Sequence, residues 1–257
     1  MAEQHAFVAE HHAPRARDYV TSVNHSAGDD LDQIEALVRA AGGDGDRPQV
    51  LDLGCGGGHV SYRAAPHAAH VTAVDLTPAM LDEVRATAAA RGLSNISVRQ
   101  GAAERLPFAD GSFDMVLCRF SAHHWHGFAA GLREAARVLT PGGQAVFADV
   151  VAPADPLLDT HLQAVELLRD VSHVRNYSVA EWTAALAGAG LALVHMTART
   201  LQLDFPVWIA RTRTPDAHAA AIRSLQGSTP EAVRRHFRIA ADGSFRLDTA
   251  TFVATRA

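Results

Sequence analysis

Two rhythms of apolar and polar positions trade places along this chain. Short apolar runs stand at Val50–Leu53, Val71–Asp75, Ile96–Arg99, Phe113–Phe120 and Gln144–Val150, and each reads as a buried strand. Between them apolar residues return at helical spacing. One helix follows the glycines after Leu53 and runs to about Pro66. A second opens at Thr77-Pro78, carries Met80, Leu81 and Val84 on one face, and ends at Arg91-Gly92. A third covers Phe128 to Leu139. Upstream, Leu31, Ile34, Leu37 and Val38 mark a helix that Asp29 or Asp30 would cap and Gly42-Gly43 would end. Downstream, residues 153–175 look helical, and Ser178-Val179-Ala180-Glu181 is a capping box that turns Trp182 and Leu186 inward. Strand six spans Leu191 to Leu203, residues 206–239 form a helical insertion, and Phe245 to Ala254 alternates as a last strand. Strands alternating with helices imply a doubly wound, mostly parallel, seven-stranded α/β sheet of Rossmann-like kind, with helices on both faces. The expected sheet core is about 31–152 with 178–205 and 240–257. A helical cap is expected from about 1–30, 153–177 and 206–239.

Composition narrows the partners. A net charge of −5 and scattered basic residues give no footprint for a nucleic acid. Two cysteines, Cys55 and Cys118, make no disulfide framework and suit a reducing, cytoplasmic setting. No leader pattern and no apolar run of transmembrane length is read, so membrane insertion is not expected. Fifteen histidines is a high number, yet none stands in a metal-ligand pattern such as H-E-x-x-H, and no metal is expected.

The stretch Val50-Leu51-Asp52-Leu53-Gly54-Cys55-Gly56-Gly57-Gly58-His59-Val60 carries the first chemical signal. Glycine serves where the backbone needs positive φ or where a ligand must approach closely. A strand, a glycine turn and a helix N-terminus would aim backbone N–H groups at a polar ligand. A dinucleotide fingerprint begun at Gly54 wants glycine at 59, and His59 stands there. Asp52 would repel a pyrophosphate and suits an ammonium group. Asp75, 21 residues after Gly54, suits ribose hydroxyls. A ligand with adenine, ribose and an amino-acid zwitterion answers all three points, and S-adenosylmethionine is such a ligand.

With these residues in hand, the chain resembles the class I S-adenosylmethionine-dependent methyltransferases. It looks most like the small-molecule branch near the ubiquinone and menaquinone C-methyltransferases. VLDLGCGGGHVS, AVDLTPAML, GAAERLPFADGSFDMVLCRF and LREAARVLTPGG come in that family's order over roughly 48–150. The segment from Asp155 through His173-Val174-Arg175-Asn176-Tyr177-Ser178 to Trp182 also looks like a subgroup of this branch. The resemblance implies that Gly54, Gly56 and Gly58 hold the methionine portion, with Asp52 toward its amino group. Asp75 would bridge the ribose, Leu76 would pack on the adenine, and Ala102, Ala103 and Glu104 would lie along the adenine edge. The family often has Asp where Ala102 stands, which leaves the adenine amino group to Glu104 or water. Arg119 would sit near the methionine moiety. Apart from the resemblance, a cap folded over the strand ends would close Tyr19 on the cofactor. Cys118-Arg119-Phe120-Ser121 lacks the Asp/Asn-Pro-Pro-aromatic tetrad of amino-methylating nucleic-acid enzymes, and no proline precedes Cys118.

Methyl transfer needs no obligatory catalytic residue, because positioning alone can supply about 7–11 kcal/mol. An acceptor that loses a proton gains from a base, and histidine suits that role near neutral pH. His123 and His124 follow strand four, where ligands bind in open α/β sheets, and either is the candidate. The expected activity is O- or C-methylation of a small-molecule acceptor, and a homodimer stays open. A non-catalytic cofactor-binding module and a nicotinamide-dependent oxidoreductase are the alternatives. Tyr19, His25, His173, Arg175, Asn176, Tyr177, Arg211 and Arg213 are the candidate wall groups of the cap.

Overall fold

Successive residues of the central strands part to opposite faces of one sheet, as the two-residue period of a strand requires. The computed structural model describes residues 2–16, 27–43 and 45–257. In β1 (Gln49–Leu53), Val50 packs with Leu31, Ile34 and Val38 of α2 (Asp29–Ala41) on one face. Leu51 and Leu53 face the other cluster. The split repeats in β4 (Phe113–Arg119) and β5 (Leu139–Val150): Met115, Leu117 and Val146 join Val50, whereas Val116, Cys118 and Phe147 join Leu51. A strand buried on both faces reads as the continuous apolar run seen in the sequence.

The seven strands lie in the order β3-β2-β1-β4-β5-β7-β6. β2 (His70–Asp75), β3 (Ile96–Gln100), β1, β4 and β5 pair in parallel. β7 (Phe245–Arg256) runs antiparallel between β5 and β6 (Leu191–Leu203). On the α2 face also lie α3 (His59–Ala64) and α4 (Pro78–Ala90). α5 (Phe128–Val138) and α7 (Val179–Gly188) cover the other face. There Trp182 stacks on Phe252 with centroids 5.0 Å apart and meets Phe128 edge-on at 4.7 Å. The Ser178–Glu181 capping box is present, and Gly190 takes φ 80 beyond the helix end.

A third apolar cluster sits at the carboxyl ends of β5 and β6. It draws Leu162 and Val165 from α6 (Pro156–Arg169), and Trp208 from α8 (Phe205–Arg211). Ile222 of α9 (Asp216–Ser228), Val233 and Phe237 of α10 (Glu231–Phe237), and Leu247 of β7 complete it. The segments 156–169 and 205–237 therefore share one core. The lead-in contributes α1 (Ala2–His12), followed by a 3-10 turn at Ala13–Arg15.

Three expectations about local structure are corrected. Gly28 is the residue before α2, and neither Asp29 nor Asp30 caps it with its side chain; both lie in the first turn. β5 begins at Leu139 rather than Gln144, because Leu139 pairs with Phe113 before the register jumps to Gln144 opposite Met115. Pro141-Gly142-Gly143 is an excursion within the ladder, with Gly142 at φ 76. The helix expected over 153–175 stops at Arg169, and residues 170–177 form a loop.

Candidate functional site

The glycine loop is tied down by its own N–H groups. Those of Gly54 and Cys55 donate to the Val74 carbonyl at 2.8 and 2.9 Å, and that of Gly58 donates to Cys55. The Gly56 N–H donates to Asp75 Oδ2 at 2.9 Å. Gly54, Gly56 and Gly58 all have positive φ, at 70, 48 and 82. A Cβ on Gly54 would lie 1.9 Å from Ser121 Oγ, so the loop passes against the turn after β4 as only glycine can. A Cβ on Gly56 would meet nothing within 4 Å among the described residues, which leaves that face open to a ligand. The sequence expectation that these N–H groups face the ligand is corrected: those of Gly54, Cys55, Gly56 and Gly58 are already spent inside the protein. A pyrophosphate would find few donors here.

The two acids of this region behave differently. Asp52 is 1% exposed, and its Oδ2 accepts from the Ser61 N–H at 3.0 Å and the Ser61 hydroxyl at 2.6 Å. It holds the first turn of α3 from below and is not among the residues that line the cavity. Burial pushes its pKa up to about 7, with Asp75 adding to the rise. Asp75 does line the cavity. Its Oδ1 accepts from the Thr77 N–H at 2.9 Å, and the Thr77 hydroxyl and the Leu76 N–H also bond to the carboxylate, which fixes its orientation at the cavity. Burial raises its pKa as well.

Gly54, Gly56, Asp75, Leu76, Ala103 and Glu104 come together around a cavity of about 720 Å³, part of it open to solvent. Glu104 accepts from the Gly127 N–H at 3.0 Å and lies 3.4 Å from His5 Nε2. His5, Val8 and His12 of α1 form the wall opposite the sheet. Besides Asp52, three predicted residues lie elsewhere. Gly58 packs against Tyr62 and Val84 at the start of α3, and Ala102 bridges to Arg105. Arg119 turns from the cavity to Asp30, with Nε 2.5 Å from Oδ2 and Nη2 3.1 Å from Oδ1, and stacks over Phe120 at 4.6 Å. Tyr19 and His25 lie outside the described residues.

Phe120 has φ 50, a left-handed conformation costly for a bulky residue and found mostly where function requires it. It lines this cavity and a second one of about 560 Å³. His124 lines both as well, whereas His123 lines the second, with Glu166, Arg169, Asn176 and Arg211. Of the other expected wall groups, His173, Arg175, Tyr177 and Arg213 are not among the lining residues of either cavity.

His123 Nδ1 is 2.7 Å from Asp149 Oδ1, and Asp149 Oδ2 accepts from the Ala122 N–H at 3.0 Å. Asp149 is 2% exposed. Burial is the largest influence and works against a charged His123, but the Asp149 carboxylate together with Glu166 and Asp170 outweighs it and the pKa is raised. The His123 carbonyl accepts from the Val174 and Arg175 N–H groups, which joins the turn after β4 to the loop after α6. His124 differs: Nδ1 lies 3.2 Å from both the carbonyl and the hydroxyl of Ser172. Burial first, then the neighbouring His123, pushes its pKa well below the ordinary histidine value. An Asp–His pair beside a cavity can orient a ring and stabilise its charged form, as a general base requires. Sequence reasoning misses Asp149, the α1 histidines and the hold of Asp30 on Arg119. The visible signal for Asp149 is an acid in the otherwise apolar run Gln144–Val150.

Comparison with known proteins agrees with this geometry. Residues 50–143 match the family described as a methyltransferase domain. The uncharacterized protein YafE of Escherichia coli is 47% identical over 191 residues, covering 74% of this chain and 92% of that protein. The uncharacterized methyltransferase YcgJ of Bacillus subtilis is 37% identical over 185 residues, covering 72% of this chain and 73% of that protein. Its crystal structure superposes with a TM-score of 0.82 at 31% identity, over 88% of this chain and 98% of that one. A demethylmenaquinone methyltransferase of Deinococcus radiodurans is 40% identical over 111 residues, covering 42% of this chain and 46% of that protein. No helix among the described residues is long and apolar enough to cross a membrane. The chain belongs to the class I S-adenosylmethionine-dependent methyltransferases.

Proposed function

We propose that the chain transfers the methyl group of S-adenosylmethionine to an oxygen or acidic carbon of a small-molecule acceptor. The shared wall carries this reading: Phe120 and His124 line both cavities, so a donor in the first and an acceptor in the second meet across them. The bound donor supplies a methyl on a sulfonium, open to in-line attack. The rest falls to the chain's own residues. Asp75, held in place by its backbone donors at the cavity wall, offers its carboxylate to ribose hydroxyls, and Leu76 and Ala103 give the base apolar contact. The open face at Gly56 leaves room for the methionine portion. α1, through His5 and Val8, keeps water from the donor. His123, with Nδ1 committed to Asp149, has Nε2 left to take the acceptor's proton.

The second cavity suits an acceptor with a largely apolar body and a polar edge. Leu201, Leu203, Trp208 and Leu247 line it together with the polar groups. The test is S-adenosylhomocysteine release from labelled donor with pooled small metabolites, in wild type and in His123→Ala. Turnover lost in the variant with donor affinity kept supports the reading. Donor binding without release for any acceptor would turn it toward a cofactor-binding module.

A further inference from the structure

Three ligand-bearing side chains from distant segments meet beside the donor cavity. His12 of α1, His124 after β4 and Asp170 after α6 each bring one ligand atom to within 4.8 Å of the others. The turn after β4 has no carboxylate of its own to complete a metal site; Asp170 supplies one through the fold. Ser172 touches all three, its Oγ 3.0 Å from His12 Nε2 and 3.2 Å from His124 Nδ1, and it donates to Asp170 Oδ1 at 2.6 Å. A hydrogen bond on one atom, leaving another for the ion, is how proteins orient metal ligands. His11 Nε2, 3.1 Å from Asp170 Oδ1, braces the same carboxylate. A second observation points to a cation. Asp170 is 2% exposed, and its Oδ2 is a buried atom with no hydrogen-bond partner among the described residues. A buried carboxylate oxygen left unpaired carries a desolvation penalty that a bound cation would remove.

We propose that His12, His124 and Asp170 bind a divalent transition-metal ion, with zinc as the fitting example, which fastens α1 over the donor cavity. Two imidazoles and one carboxylate are a donor set for zinc, and three protein ligands leave its fourth position for water. Magnesium prefers an all-oxygen, hydrated shell and fits poorly. The fastening has a reason. Val8 is the buried apolar residue of α1, and the polar ties of this helix run through its histidines: His5 to Glu104, His11 to Asp170 and His12 to Ser172. The site stands whether or not the chain methylates anything.

The experiment uses the whole chain without a tag, stripped with chelator and titrated with zinc chloride alone by calorimetry, with elemental analysis of the dialysed product. One zinc per chain is expected, and magnesium chloride should give no binding at the same concentrations. His12→Ala, on a helix outside the sheet core, and Asp170→Asn should each weaken zinc at least as much as loss of an outer-shell partner, about 10–100-fold. Zinc should also slow amide exchange across residues 2–12 in wild type and not in His12→Ala. No stoichiometric zinc in wild type overturns the proposal. So does equal affinity in wild type and both variants, which would assign the ion to other histidines.

Discussion

The two cavities proposed for donor and acceptor share a wall but are made of different material. The first cavity has a backbone floor, Gly54, Gly56, Asp75 and Leu76 from the turns after β1 and β2, to which α1 and the turn after β4 add larger side chains. The acceptor wall is long polar and apolar side chains from the β4 turn, α6, its following loop, β6, α8 and β7. Backbone geometry is set by local sequence, so the backbone floor is readable. The second exists only after distant segments have packed, and its chemistry depends on which side chains they bring. A scaffold of this kind keeps one donor site while the acceptor side is free to differ.

The largest effect expected of a single substitution lies on the acceptor side. His123→Ala should cut turnover by about 10²–10⁴-fold, or roughly 3–5 kcal/mol of barrier, while donor affinity measured by calorimetry stays near wild type. Asp149→Asn should act through the same ring, so the double variant should lose little more than either alone. Additive losses would separate the pair and blur the contrast between the two walls.

On the donor side the expected losses are in binding and folding. Gly54→Ala places a Cβ 1.9 Å from Ser121 Oγ at φ 70, and the backbone strain alone costs about 1–3 kcal/mol in a denaturant melt. Asp75→Ala removes a charged hydrogen-bond acceptor and should weaken S-adenosylmethionine and S-adenosylhomocysteine alike by about 1.5–3 kcal/mol. Unchanged affinity for both would withdraw the ribose role. The smallest effect is a control for both walls. Ser178→Ala breaks the capping box of α7 and should cost about 1 kcal/mol of stability, read as a lower Tm, without changing either ligand's affinity.

What can be read from the sequence follows the same division. The apolar run of β4, the Thr77-Pro78 start of α4, the Ser178–Glu181 box and the bounds of β6 at Leu191 and Leu203 are local signals, and the structure has them. The hidden parts are partnerships. Nothing near Asp30 tells that its carboxylate will hold Arg119 rather than cap its own helix. Asp52 reads as a ligand group because its partner, Ser61, becomes a neighbour only once α3 folds back over β1. Asp149 stands out only as an acid in an apolar run, and its role stays hidden because its partner lies 26 positions earlier. The lead-in lacks hydrophobic periodicity because α1 is held largely by polar contacts, so pattern reading gives only a polar, partly helical stretch there.

The sheet order also sets a timetable for synthesis. Among the described strands β6 pairs with β7 alone, and β7 is the last of them in the chain. As the chain leaves the ribosome, β1 through β5 can pair and enclose the glycine loop while residues 191–203 still lack a partner. Only when Phe245–Arg256 emerges and slides between β5 and β6 do Leu201, Leu203 and Leu247 meet to close the second cavity. A nascent chain halted before that strand would carry a finished donor cradle beside an open sheet edge, a form prone to pairing with other chains.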